Sequence, residues 1–406
     1  MRKVSSKKKR HLCGMKVLTA AALGAVIIFI IYAVSAQTAQ FIPPTRDFVV
    51  CEGPFWNAQK GDEWIRYSCR EECADWKECT YLSDETDARS RKLQMLAFVS
   101  DEMAGEIRFN QPSNDYRAAL LMHQGAGGTF FMETASPAIT ALRHEFEKED
   151  VLVIDTRWRG ETAMSLLTGW WTRRSPDEAS TLYEKAKRPA QLIKWIHDNI
   201  VPQQAKFGTI GCSGGSMATF SSVYWHGLDP IVDYQLLGGG PPMAWDVGAE
   251  CTGAAGEGQP LGVCEENPAK DCSSDQDCAS RCATPQKAEA FSNSLTSLLP
   301  DYIHNINLTC SRKLKHPAFD RSSYRFTGGD WEQDSPTDFL VDIGKPDGSV
   351  SGTDTEASIT YMAGMTYRNI RGEKYWLLHN GKHCSWASDV NFMEKEILPR
   401  IKSKIL

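Results

Sequence analysis

From about Leu93 onward, short apolar runs alternate with stretches whose apolar residues recur at helical spacing. Ala118–His123 (AALLMH), Val151–Asp155 (VLVID), Lys206–Gly211 (KFGTIG), Val232–Gly238 (VDYQLLG), Phe339–Gly344 (FLVDIG) and Lys374–His379 (KYWLLH) read as strands of a sheet covered on both faces. Between them, Pro137–Glu147, Arg188–Ile200, Ser216–Tyr224, Ala357–Asn369 and Ala387–Ile401 read as helices. This alternation predicts an α/β domain, a mostly parallel central sheet flanked by helices. The pattern breaks over residues 241–336, which hold Gly and Pro clusters and six cysteines but no long apolar strand. The core is therefore expected in two pieces, 91–240 and 337–406, around an insertion. Residues 37–90 are polar, rich in Glu, Asp and Trp, and read as a cystine-stapled N-terminal extension.

One junction between strand and helix carries chemistry. Gly211-Cys212-Ser213-Gly214-Gly215 fits G-x-S-x-G, the sharp turn that lifts a serine hydroxyl clear of the backbone. Ser213 is followed by an acid candidate, Asp347, and then by His383, each just beyond a predicted strand. A serine hydroxyl needs a neighbouring imidazole to take its proton, and a carboxylate to fix that imidazole's tautomer. Asp354 is the rival acid and His379 the rival base; Asp342 and His379 sit in strands and read as supports. Gly214 N–H, with Gly125 or Ala126 from the loop after Ala118–His123, would donate to the oxyanion. His123 closes its strand and is read as ordering that loop. The loop lacks the residues of a phosphate-binding motif.

The order serine, acid, histidine and its strand context resemble the α/β-hydrolase superfamily, over roughly Leu93–Leu406 apart from the insertion. That resemblance implies an α/β-hydrolase fold with 241–336 as a cystine-rich cap or lid, and no cofactor.

Cys212 directly precedes the serine and Cys384 directly follows the histidine. If Ser213 and His383 are partners, these cysteines come close enough to bond, clamping the turn to the histidine loop; two buried free thiols are the alternative. The Cys-Ser, Asp, His-Cys arrangement is similar to that of the tannase and feruloyl esterase family, where a disulfide joins these two positions. The likeness covers only those short segments, so phenolic substrates do not transfer with it.

Charge and cysteine count place the chain. Arg2, Lys3, Lys7, Lys8, Lys9, Arg10 and Lys16 precede an uncharged apolar run, Val17–Val34, and then Ser35-Ala36-Gln37. This fits a signal peptide cleaved after Ala36, with an uncleaved membrane anchor as the alternative. Both readings export the remainder. Without those seven cations the net charge of −6 becomes about −13, which argues against a nucleic-acid partner. Apart from Cys13, the cysteines fall into even groups: Cys51, Cys69, Cys73 and Cys79; Cys251, Cys264, Cys272, Cys278, Cys282 and Cys310; and the Cys212, Cys384 pair. Even groups fit local disulfide frameworks in an oxidising compartment rather than metal sites.

Weaker signals remain. Asp155–Gly160 (DTRWRG) reads as a site rim or a salt-bridge turn. Asp271–Asp277 (DCSSDQD) spaces oxygens like a calcium loop but fails the EF-hand template at Gln276 and Cys282. Asn307-Leu308-Thr309 is a glycosylation sequon. Trp158, Trp170, Trp171, Trp245 and Trp331 are candidates for an aromatic pocket. The leading expectation is a secreted serine hydrolase of carboxylic esters acting on a small-molecule ester. Alternatives are an exopeptidase on short peptides, with Glu265 and Glu266 more simply a solvated loop than an amine clamp, and a non-catalytic binding module.

Overall fold

The computed structural model describes residues 49–52, 57–59, 63–65, 81–86, 92–99, 104–110, 116–125, 127–133, 136–158, 169–170, 182–239, 260–284, 336–344, 356–370 and 372–406. The expectations for residues 1–36, Ala126, Asn307, Asp347, Asp354, Trp171, Trp245 and Trp331 lie outside them, as do those for Cys69, Cys73, Cys79, Cys251 and Cys310.

Strand β1 (Val49–Glu52) and a two-stranded hairpin, β2 (Asn57–Gln59) with β3 (Glu63–Ile65), come first, followed by β4 (Tyr81–Thr86). Both β1 and β4 run antiparallel to β5 (Lys92–Val99) and extend the edge of the main sheet. β5 pairs antiparallel with β6 (Ala104–Asn110), and β6 antiparallel with β8 (Val151–Trp158). The rest is parallel. β7 (Ala118–His123) lies between β8 and β9 (Lys206–Cys212), followed by β10 (Tyr234–Gly238), β14 (Asp338–Gly344) and β15 (Lys374–His379). From β5 the spatial order is β5-β6-β8-β7-β9-β10-β14-β15, with only the second strand reversed. This is the α/β-hydrolase fold.

Helices cover the sheet. α1 (Pro137–Lys148) starts at Ser136, whose Oγ accepts from Ala138 N at 3.1 Å, with proline in its first turn. α2 (Leu182–Lys185) and α3 (Lys187–Asn199) precede β9. α4 (Gly214–His226) leaves β9 and is buried from Gly214 through Trp225. It therefore lacks a solvent-facing side, and its buried Ser216, Thr219 and Ser222 hydroxyls are bonded to backbone carbonyls. α5 (Glu356–Asn369) links β14 to β15.

All six residues of β7 are buried, including Leu120 and Leu121 at 0% exposure. Each such side chain contributes about 1.5–3 kcal/mol of transfer free energy. Among the described residues, one core cluster joins β7, α1, β8 and β10 to the C-terminal helices through Leu120, Ile139, Phe146, Leu236, Trp386 and Ile401.

The expected single final helix is instead broken. α6 (Ser385–Ser388), α7 (Val390–Phe392), a π-helical turn (Met393–Ile397) and α8 (Leu398–Ile405) follow in series. Asp389 caps α7 by accepting from Phe392 N, and Pro399 opens α8 without an amide donor.

The insertion contains a three-stranded antiparallel sheet, β11 (Gly262–Cys264), β12 (Asn267–Cys272) and β13 (Cys282–Ala283). Cys264–Cys278 and Cys272–Cys282 close it. This module packs on α5. Tyr361 Oη donates to Pro260 O at 3.0 Å, Arg368 pairs with Asp271, and Gly364 lies against Val263.

Candidate active site

Ser213 stands between β9 and α4 with φ 55° and ψ −119°, a left-sided conformation that a residue with a β-carbon adopts only under constraint. Holding it costs roughly 1–3 kcal/mol. The constraint comes from close backbone packing. A β-carbon on Gly211 would strike Gly215 and Ser216, and one on Gly215 would strike His123 O and Gln124 O. Both glycines of the motif are thus required by α4 folding back onto β9 and β7. Ser213 N donates to Gly238 O at 2.8 Å, and Ser216 Oγ donates to Gly211 O at 2.7 Å and Gly238 O at 2.9 Å. Gly214 opens α4, so its N–H belongs to the first turn, which has no acceptor within the helix.

The loop after β7 lies over the serine. A β-carbon on Gly125 would stand 3.3 Å from Ser213 Cβ and 3.2 Å from Cys212 O. Three bonds hold this loop: Gly128 N to Gly125 O at 3.0 Å, Trp158 N to Gly128 O at 2.7 Å, and Trp170 N to Gly127 O at 3.1 Å. Trp158 and Trp170 are buried and bonded to it through their backbone N–H groups. Trp158 closes β8, so its expected loop position is corrected. His123 is stacked with Trp158 at 6.4 Å, and burial pushes its pKa down to about 3, so the ring is neutral.

Of the Asp155–Gly160 segment, the described residues Asp155–Trp158 belong to β8 and carry buried ion pairs. Asp155 accepts from Met132 N at 2.9 Å and Glu133 N at 3.1 Å, fixing the chain just beyond the loop that follows β7. Burial pushes its carboxyl up to about 6, with Arg108 opposing. Arg108 also bonds Glu133 at 2.7 Å, Arg157 pairs with Glu106, and both guanidiniums lie on the Phe131 ring.

Cys212 and Cys384 form a disulfide across 172 residues, with Cα atoms 5.8 Å apart. A ring nitrogen of His383 and both sulfurs lie within 4.8 Å of one another, so the histidine loop sits beside the serine turn. The bond occupies both sulfurs and leaves no thiolate for a metal. Gly239, with φ 58°, forms the floor: a β-carbon there would be 2.8 Å from the His383 ring and 3.0 Å from Cys384 Sγ. Gly238 is equally tight against Trp386. The sequence reading missed this floor, although the Gly238–Gly240 run closing a strand was its visible signal.

Asp342 and His379 pair with each other. His379 Nε2 lies 3.2 Å from Asp342 Oδ1, and Gly381 N donates to His379 Nδ1 at 2.9 Å. Both ring nitrogens of the rival base are thereby engaged. A β-carbon on Gly344 would strike the carbonyls of Gly381 and Lys382, so the end of β14 lies against the histidine loop.

In the insertion, Asp277 Oδ2 accepts from Ser273 N at 2.7 Å, Ser273 Oγ at 2.9 Å and Ser274 N at 2.9 Å, and Asp275 Oδ1 accepts from Cys282 N at 2.8 Å. These carboxylates fold their own loop. Glu265 is buried and bonded to Arg281 at 2.6 Å, which corrects its expected solvation. Exposed Glu266 accepts from Ser280 Oγ at 2.6 Å and Ala279 N at 2.7 Å, bonds that push its carboxyl down to about 2. Among the described residues, no helix is long and apolar enough to cross a membrane.

No protein-family model and no curated protein matches the chain. Among solved structures, it is similar to acetyl xylan esterase 1 from Thermoanaerobacterium sp., at 12% identity and TM-score 0.45 over 75% of this chain and 81% of that one. Est1E from Butyrivibrio proteoclasticus is similar at 10% identity and TM-score 0.41, over 76% and 97%. An esterase from Pyrobaculum calidifontis is similar at 16% identity and TM-score 0.39, over 74% and 81%. Likeness at this level bears on neither activity nor substrate.

Proposed function

We propose that the chain is an exported serine hydrolase that cleaves carboxylic esters through an acyl-enzyme on Ser213. The observation that carries this reading is the strained Ser213 turn, joined by Cys212–Cys384 to the loop that bears His383. Ser213 Oγ attacks the ester carbonyl while His383 takes its proton. The oxyanion forms against Gly214 N–H and a donor from the Gly125–Ala126 turn. Collapse of the tetrahedral intermediate expels the alcohol, which His383 protonates. Water then adds to the acyl-enzyme with His383 again as base, releasing the acid and restoring Ser213. Asp347 holds the imidazole tautomer in this scheme.

Nothing in the described residues favours the exopeptidase reading, because Glu265 and Glu266 are bonded within the cystine module. A binding module would have no use for a strained serine. The test is labelling with a fluorophosphonate followed by peptide mass spectrometry. The adduct is expected on Ser213 alone, and to vanish in His383→Ala; an unlabelled wild type would sink the reading.

A further inference from the structure

The His379–Asp342 pair lies on the strands that lead to the acid and histidine loops, and the scheme above gives it no task. We infer that His379 is a positioning residue for His383, acting through the Gly381 N–H; this rests on the reading of His383 as the proton shuttle. The turn Asn380–Lys382 separates the two histidines, and its backbone closes over the His379 ring. Gly381 N donates to Nδ1 at 2.9 Å, so Nδ1 holds a lone pair, and Nε2 lies 3.2 Å from Asp342 Oδ1, within ion-pair distance. Asp342 is 1% exposed and sits in β14, a strand inside the sheet, so the far end of this relay is fixed to the core.

Other contacts hold the ring's faces. Phe392 packs on it with centroids 4.6 Å apart, and Ser385 Oγ stands 3.4 Å from both ring nitrogens. The turn has little room for another path. A β-carbon on Gly381 would come within 2.6 Å of His379 Nδ1, and Gly344 presses on the same turn from β14. The disulfide holds the loop from its far side at Cys384. His383 is therefore suspended between two anchors, one covalent and one a tautomer-defined hydrogen bond. A displacement of about 1 Å at a catalytic group costs up to about 100-fold in rate, so slackening one anchor is visible in kcat.

The two ring nitrogens can be tested separately. His379→Gln keeps a donor near the Nε2 position but removes the acceptor for Gly381 N–H. His379→Asn keeps an acceptor near Nδ1 but removes the Nε2 contact with Asp342. With a nitrophenyl ester and the full chain, H379Q is expected to lose about tenfold in kcat, with KM within about twofold and melting temperature near wild type. H379N is expected to keep kcat within about threefold and to melt lower. Wild-type kcat in H379Q, or a parallel loss of kcat and stability in both variants, would overturn the inference. If H379Q does not fold, H379N decides alone: kcat within about threefold upholds it and a loss of about tenfold overturns it. His383→Ala runs alongside. Should that variant stay active, the underlying scheme fails; should it be inactive while H379Q matches wild type, only the positioning role fails.

Discussion

The Cys212–Cys384 bond closes a loop of 172 residues, whereas Cys264–Cys278 and Cys272–Cys282 span 14 and 10. In the chain-entropy account, the long closure restricts the unfolded chain by about 5 kcal/mol and each short one by about 3 kcal/mol. Their surroundings differ as well. The long bond sits at the edge of a close-packed core of Leu, Ile, Met and aromatic side chains. In the insertion, Cys264, Cys272 and Cys282 themselves form the buried cluster, with Cys278 packed against them. A module this small has too little apolar surface to fold alone, and sulfur supplies its interior. The core needs no such help. Its disulfide sets the relative position of two loops that the sheet order already brings near, and those loops carry Ser213 and His383.

This contrast is broken most directly at the nucleophile. Ser213→Ala should lower kcat by at least about 10,000-fold with the melting temperature unchanged or raised, since in the proposed scheme the hydroxyl serves chemistry alone. Calorimetry beside an ester assay reads both quantities. A comparable loss in a Cys264→Ser, Cys278→Ser variant would erase the distinction between the regions.

Next in size is the pair of disulfide deletions. Cys212→Ser with Cys384→Ser is expected to cost about 2–5 kcal/mol in global stability and to lower kcat. Cys264→Ser with Cys278→Ser should melt the module locally and leave kcat within about threefold. Hydrogen exchange resolves the two, with loss of protection confined to residues 262–283 in the second variant and reaching β9 and α4 in the first.

A smaller effect concerns pH. Buried His123 has its pKa lowered to about 3 in the folded state, against about 6.5 unfolded. The unfolded chain therefore binds the extra proton between those values. The stability that His123 contributes is complete above about pH 6.5 and falls by about 1.4 kcal/mol per unit below it. Asp155, raised to about 6, has the opposite slope between about pH 4 and 6, because there the folded state holds the proton. His123→Asn should flatten the acid limb of a denaturation series, and Asp155→Asn should steepen it. An unchanged limb in both would mean that neither group titrates as its burial dictates.

Much of this arrangement was legible in the residues. β7 and β15 coincide with their apolar runs because both begin and end where polarity and turn residues begin. The elbow was legible because Gly211 and Gly215 answer to a steric demand that no other residue satisfies. Other features depend on partners distant in sequence. Nothing local shows that Glu265 meets Arg281, that Asp342 is matched to His379, or that Trp158 lies against Gly128 of the loop after β7. The broken C-terminal helix was signalled by Asp389 and Pro399, and its helical periodicity concealed the breaks. The pairing of β4 with β5 was hidden by the polar composition of Tyr81–Thr86 (YLSDET), and that of β1 by the shortness of Val49–Glu52.

The most direct test of the account is hydrolysis of short-chain and aromatic nitrophenyl esters by the full chain, with Ser213→Ala beside it. The account predicts turnover in the wild type that disappears in the variant. Equal turnover in both would contradict it, because the ester would then be cleaved without the strained serine on which the site is built.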